Sequence, residues 1–265
     1  MSQTAAAQSE TAPTPHVVTF ERSPKRIRVR FNGETIADTV RGLILFERGL
    51  IPVYYFPIDD VRMDLLTPTT HSTHCPFKGD ASYWTVTVGD RSAENAVWSY
   101  PEPIAEVPEL KGHVAFYWNK MDQWLEEDEE VFVHARDPHK RIDVVYSERP
   151  VQVILGGETV AESRRALFLF ETGLPTRYYL PADDVRQDLL TPTESQSACP
   201  YKGTASYWTA TVGGTEYADI VWCYRDPLPE VGRVKDYLCF YNENVDEIRV
   251  DGEPEPKPHT HWSRD

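Results

Sequence analysis

The sequence predicts a mainly β protein of two tandem antiparallel domains with few short helices, and three observations predict it. The first is an internal repeat. Shifted by 124 positions, the 265-residue chain aligns with itself without a gap, so that Gly33-Glu34-Thr35 falls on Gly157-Glu158-Thr159 and Trp84 on Trp208. Between residues 54–88 and 178–212, 24 of 35 positions are identical, which makes this a tandem duplication of an ordinary-sized domain. The second is a series of short β-branched or aromatic runs, "RIRVRF", "LILFE", "VYYF", "SYWTVTV", "NAVWSY" and "HVAFYW", separated by Gly, Pro, Asn and Asp. The third is that no segment sustains an apolar stripe of helical period.

Taken in order, residues 1–22 read as a disordered tail and 23–129 as the first domain. Residues 130–146 are a linker, 147–253 the second domain, and the Pro-rich stretch 254–265 a further tail. In the first domain "TIADTV" and "LILFE" are strand-like, although "IADTVRGLILFE" also fits a short helix. "SYWTVTV" places Tyr83, Thr85 and Thr87 on one face and Trp84, Val86 and Val88 on the other. Between Pro57 and Trp84 lies a polar stretch that reads as a loop of roughly 20 residues, a length that in a compact domain is commonly functional.

Composition narrows the function. The formal charge of -15 repels phosphate backbones, so neither a nucleic acid nor an anionic membrane is an expected partner. The run Glu126–Glu130 reads as a solvated face. The start "MSQTAAAQSETAPTPH" lacks the charged and apolar regions of a signal peptide, and no run of 18 apolar residues occurs. The four cysteines form no CxxC, so reduced thiols, a cytoplasmic location and no structural zinc are expected. Oligomeric state is not encoded in any feature of this kind.

The chemistry concentrates in "DDVRMDLLTPTTHSTHCPFKG" (59–79), repeated as "DDVRQDLLTPTESQSACPYKG" (183–203). Cys75 and Cys199 each precede a lysine by three residues, Lys78 and Lys202, and a nearby ammonium favours the nucleophilic thiolate. With Asp64 or Asp188 to move the proton, these are the candidate catalytic groups. The structural alternative is a small thiol packed under a turn. His71 and His74 would suit a Cys–His dyad, but Ser195 and Ala198 replace them in the second copy. Asp60, Arg62, Asp184 and Arg186 are candidate ligand contacts or, equally, arginine–carboxylate pins of the loop. Tyr54, Tyr55, Tyr83, Trp84, Trp98 and Tyr100 recur as Tyr178, Tyr179, Tyr207, Trp208, Trp222 and Tyr224, and suit either a core or the flat wall of a pocket. Glu47 and Glu171 each end an apolar run and could face such a pocket. No phosphate-binding glycine motif is present.

The pattern "YFPxxDVRxDLLxPTxxxxxCPxKGxASYW", followed by "VWxYxxP", resembles the bacterial and fungal domain-of-unknown-function family 427, and it occurs twice. The resemblance implies two β-tent domains related in shape to Mss4 and methionine sulfoxide reductase B. It implies no established activity. A nucleotidyltransferase label attaches to the family, but the Gly-Ser and paired-Asp signature of that enzyme class is missing here. By analogy with other tent-like domains, Trp84, Trp98 and Cys75 would line one site per copy. The leading expectation is therefore a small-molecule binding module, in which Arg62 and Lys78 bind an anionic or carbonyl group beside a flat wall of Trp84 and Trp98, with Arg186, Lys202, Trp208 and Trp222 repeating the arrangement. A cysteine-dependent transferase or hydrolase is the alternative, and a non-catalytic interaction protein the third reading.

Overall fold

The structure, a computed structural model, describes residues 16–264. The chain divides between Ala135 and Arg136 into two compact units. The first unit contains strands β1 (Val18–Arg22), β2 (Ile27–Phe31), β3 (Glu34–Thr39), β4 (Leu43–Glu47), β5 (Val53–Pro57) and β6 (Leu66–Cys75). It continues with β7 (Gly79–Val88), β8 (Arg91–Ser99), β9 (His113–Phe116), β10 (Gln123–Glu126) and β11 (Glu129–Glu130). They form a seven-stranded sheet in the order β1-β4-β5-β9-β8-β7-β6 and a four-stranded sheet in the order β11-β10-β2-β3. Every strand pair is antiparallel.

The second unit repeats this plan strand for strand. Its large sheet contains β12 (Ile142–Ser147), β15 (Ala166–Glu171), β16 (Arg177–Leu180), β17 (Leu190–Cys199), β18 (Gly203–Val212), β19 (Thr215–Tyr224) and β20 (Leu238–Phe240). Its small sheet contains β13 (Val151–Leu155), β14 (Glu158–Ser163), β21 (Glu247–Val250) and β22 (Glu253–Pro254). The mainly β, antiparallel, tandem architecture is thus as the sequence predicts. Among the described residues the only helices are short 3-10 segments, and no helix is long and apolar enough to cross a membrane.

Strand alternation builds two layers of packing on the large sheet. Ile44, Tyr54, Phe56, Val86, Val97 and Phe116 face the small sheet, where they meet Ile27, Val29 and Trp124 in the main core. Leu45, Tyr55, Ala81, Tyr83 and Ala115 point the other way, and Val107 and Leu110 from the segment after β8 cover part of that outer face. The second unit has the same division.

Several expectations need correction. "IADTVRGLILFE" is not helical: it forms β3 and β4, where Ile36 and Ile44 fill the main core and Leu43 and Leu45 the outer face, the alternation a two-faced sheet demands. The supposed long loop is mostly a strand. Residues 66–75 run along the edge of the large sheet, paired only with β7, so a polar, exposed sequence suffices. Pro68 is tolerated there because it sits at an edge bulge, where the register shifts between Pro68 and Ser72. Strand β1 falls in the stretch read as tail, and residues 1–15 of that stretch lie outside the described residues. β12 likewise falls in the stretch read as linker. In the stretch read as solvated, Glu126 is buried and accepts hydrogen bonds from Tyr54 Oη, at 2.5 Å, and from Lys25 Nζ.

Candidate functional site

The structure splits the 59–79 stretch between the two faces of the large sheet. At its start, Val61 sits in the main core and bridges to Ala37 of β3, and the Arg62 amide donates to the Ile36 carbonyl. Asp60 accepts from Thr39 Oγ1 and from Arg41 Nη2, both at 2.6 Å, and Asp184 makes the same pair of bonds with Ser163 and Arg165. These hydrogen bonds, the Arg41 guanidinium first, hold the Asp60 carboxyl below the usual carboxylate range, and Arg165 does the same for Asp184. Arg62 forks onto Asp64 at 2.7 and 2.9 Å, and Arg186 onto Asp188 at 2.7 and 3.0 Å, on the surface. In the second copy Asp184, Arg186 and Asp188 border an open groove of about 600 Å³, with their charges already matched by arginine–carboxylate pairs. This half of the stretch pins the 3-10 turns to the edge of the small sheet.

Its other half builds a different place. β6 ends at Cys75, and the turn Pro76–Lys78 closes with the Lys78 amide donating to the Cys75 carbonyl at 3.2 Å. Gly79 follows at φ +104°, where a Cβ would stand 3.2 Å from the Glu102 carbonyl oxygen. Gly203 repeats this beside Asp226. Only glycine permits that conformation together with the close approach of the 102–104 segment. The turn sends Lys78 inward, onto Glu47. Its Nζ lies 2.5 Å from Glu47 Oε2 with the whole residue only 8% exposed, and Lys202 pairs with Glu171 in the same way. Glu47 also receives His16 Nε2 at 2.9 Å, whereas Glu171 has the Lys140 ammonium at 3.9 Å.

Around this ion pair the outer face is aromatic and hydroxylic. Trp98 Nε1 donates to Tyr55 Oη, and Trp222 Nε1 to Tyr179 Oη, at 3.2 Å in each case. Tyr83 Oη is 2.8 Å from Thr73 Oγ1, and Tyr207 Oη is 2.6 Å from Ser197 Oγ. Burial pushes the Tyr55 hydroxyl far up, with Tyr100, Glu47 and Cys75 adding to the effect, which places all four groups in one neighbourhood. Burial also raises Tyr100, and it pushes Tyr117 up to about 12 with help from its hydrogen bond to Tyr83. Tyr179, Tyr224 and Tyr241 are raised in the same way, with burial again the chief cause. These phenols are therefore neutral near pH 7 and act as both donors and acceptors.

Eight side chains thus meet on one face: Glu47, Tyr55, Cys75, Lys78, Tyr83, Trp98, Tyr100 and Tyr117. All eight recur, as Glu171, Tyr179, Cys199, Lys202, Tyr207, Trp222, Tyr224 and Tyr241. Of the residues singled out from the sequence, this face gathers Cys75, Lys78 and Trp98 with their second-copy partners Cys199, Lys202 and Trp222. It also gathers Glu47 and Glu171, together with Tyr55, Tyr83 and Tyr100 and their repeats, while the other candidates lie elsewhere. Trp84 pairs with Val97 and packs on the main core, while Trp98 pairs with Tyr83 on the outer face, so the two tryptophans point oppositely. Trp208 likewise packs on the core side, with Arg225 5.4 Å from its ring. Tyr54 and Tyr178 are core residues, Tyr178 edge-on to Phe168. Asp64 and Asp188 are tied to Arg62 and Arg186 at the surface, away from the cysteines. His74 pairs with Asp80 and His71 packs on Tyr83, so neither forms a dyad with Cys75.

What sequence reasoning passed over is mostly second-copy detail. Arg177 lies in β16, buried, with Glu243 holding its guanidinium at 2.6 and 2.7 Å. Position 53 is valine in the first copy, so the repeat gives no hint of it. The stretch read as a tail also packs: Thr260 Oγ1 donates to Glu243 at 2.7 Å, and Asn244 Nδ2 to the Trp262 carbonyl at 2.9 Å. Cys223 and Cys239 are buried free thiols whose pKa burial pushes up, while Cys75 and Cys199 are partly exposed.

The family described as Domain of unknown function (DUF427) matches twice, over residues 19–127 and 143–251. The chain belongs to that family. Both matches start earlier than the identities between the copies do, and they take in most of β1 and β12. A search of the curated proteins finds no match.

Proposed function

We propose that each DUF427 copy binds a small polar molecule on the outer face of its large sheet. Glu47, Lys78 and the hydroxyls of Tyr83, Tyr100 and Tyr117 supply its polar contacts, and Trp98 supplies a flat apolar wall. One observation carries this reading. A nearly buried Lys–Glu pair, ringed by neutral phenols, is built identically in both copies. A buried ion pair is a poor way to gain stability, because well-packed apolar residues of similar volume do as well or better. A pair kept at the edge of an aromatic face is better explained as polar groups held ready for a ligand. The free thiols support a cytoplasmic location, and a large antiparallel sheet packed on a smaller one supports the tent-like likeness to Mss4.

The test is a screen of metabolite pools against isotope-labelled protein. The proposal expects a hit to move the signals of Trp98, Tyr83 and Gly79 or of their second-copy equivalents. Hits that move only the 59–64 or 183–188 stretches, or no hits at all, would count against it. The cysteine-enzyme reading draws on Cys75 and Cys199, which are partly exposed on the same face. It loses the remainder of its machinery, since Lys78 is taken by Glu47 and Asp64 by Arg62.

A further inference from the structure

We infer that the first copy's site takes a small free cation of the guanidinium or alkylammonium type, and that the second copy fills the same place with its own Arg177. The inference deepens the proposed function and rests on it for the position of the site.

The two copies share one aromatic floor. Trp98 and Tyr117 have centroids 4.6 Å apart at 44°, and Trp222 and Tyr241 4.5 Å apart at 45°. On this floor the second copy holds a guanidinium. Arg177 Cζ lies 5.6 Å from the Trp222 ring and 5.9 Å from Tyr241, and Trp262 contributes a third face at 5.4 Å. Aromatic faces attract cations through their quadrupole, most strongly when water is kept out. Glu243 matches the charge with a two-pronged hydrogen bond and is held in turn by Thr260.

In the first copy the same floor carries no such arginine among the described residues. Val53 stands where Arg177 does and Asn119 where Glu243 does. Val53 is two residues from Tyr55 on one strand and packs on the same outer face, so its side chain marks the spot from which an arginine would reach. Lys120 Nζ is 5.3 Å from the Tyr117 ring, but the carbonyls of Glu94 and Asn95 hold it. Among the described residues no cation lies over Trp98. The floor is more open than in the filled copy: Trp98 is half-buried where Trp222 is buried at 6% exposure, and Tyr117 is 38% exposed where Tyr241 is half-buried. The nearest carboxylate on this face is Glu47, which already holds His16 Nε2 on Oε1 and Lys78 Nζ on Oε2. Leu45 pairs with Val53, which makes Glu47 the diagonal neighbour of Val53, about 7–8 Å away between backbones. The net charge of -15 adds a field that draws cations.

The test titrates the full ¹⁵N-labelled chain with agmatine while following the indole N–H signals of Trp98 and Trp222, assigned with Trp98→Phe and Trp222→Phe. The Trp98 signal should shift and saturate while Trp222 stays still. N-Butylurea, planar but neutral, should bind about tenfold more weakly or worse. Val53→Arg with Asn119→Glu, which copies the second unit into the first, should weaken agmatine by about tenfold or more and carry the Trp98 signal toward the position of Trp222. Arg177→Val with Glu243→Asn should make Trp222 respond. An unmoved Trp98, an equal response of Trp222 in the unaltered protein, or equal binding of N-butylurea would overturn the inference. A tripeptide Gly-Arg-Gly that binds more tightly than agmatine would overturn its assignment to a free small molecule. If another metabolite shifts Trp98 while agmatine does not, the cation class falls and the binding face stands. If nothing perturbs that face, both fall.

Discussion

The outer faces of the two large sheets are built from the same eight side chains and still differ in what they leave open. In the second copy Arg177, Glu243 and Trp262 close over Trp222 and Tyr241. In the first, Val53 and Asn119 stand in place of Arg177 and Glu243, and among the described residues no cation lies over Trp98. Gene duplication lets one copy drift while the other keeps its task. The difference teaches which parts of the face are framework and which are adjustable. The Lys–Glu pair, the Trp–Tyr hydrogen bond and the glycine turn persist in both copies, whereas the contents of the aromatic floor change.

The largest effect expected is on the filled copy. Arg177→Val alone strands the Glu243 carboxylate in the interior and should cost about 3–5 kcal/mol. Adding Glu243→Asn removes the stranded charge and should recover most of that loss, as seen in denaturant unfolding of the two variants. If the single variant is as stable as the double, the pair has no energetic role in closing the face.

Next comes the pair that both copies share. Lys78→Met leaves Glu47 with only the His16 imidazole, and a loss of roughly 3 kcal/mol is expected. Lys202→Met should cost less, because Glu171 retains the Lys140 ammonium at 3.9 Å. Equal losses would mean that the second cation is immaterial.

Acid should discriminate between the copies as well. Asp60, Asp184 and Glu243 all have folded pKa values held below their ordinary ones. For Glu243 burial works in the opposite direction, but the Arg177 and Thr260 hydrogen bonds outweigh it. A group whose pKa is depressed by folding stabilises the fold above its unfolded value and loses that contribution as pH falls through the folded value. Stability should therefore decline from about pH 5 downward, and the Arg177→Val/Glu243→Asn variant should show a shallower decline because it has lost one such carboxylate. An identical melting-temperature profile against pH would contradict this.

The smallest effects concern the thiols and the exposed fork. Alkylation of the native protein, mapped by mass spectrometry, should label Cys75 and Cys199 well before Cys223 and Cys239, which burial keeps protonated and covered. Labelling of Cys239 at a comparable rate would mean that the filled copy opens readily. Arg62→Ala removes a fork between two exposed side chains, and no measurable change in melting temperature is expected from it.

The repeat was legible because identical residues at a fixed offset need no structural knowledge to detect. Strands such as "SYWTVTV" were legible too, since alternation is a direct imprint of a two-faced sheet. β1 and β12 were not, because residues 18–22 and 142–146 share no identity and an edge strand needs only backbone pairing. The polar run 66–75 concealed a strand for the same reason. At the site, proximity in sequence misled: Asp60–Asp64 and Cys75–Lys78 share one stretch but serve opposite faces. Adjacent tyrosines misled similarly, as Tyr54 enters the core and Tyr55 the outer face. Glu47 was recognisable only as a polar end to an apolar strand, because its partner lies 31 residues away.

The most direct test of the central claim compares two variants in a thermal-shift screen of small polar metabolites. Trp98→Leu alters the outer face, and Asp64→Ala alters the exposed turn that the sequence made equally prominent. A compound that raises the melting temperature of the unaltered protein should lose its effect on Trp98→Leu and keep it on Asp64→Ala. The reverse pattern would move the site to the 59–64 turn and contradict the assignment of the outer face.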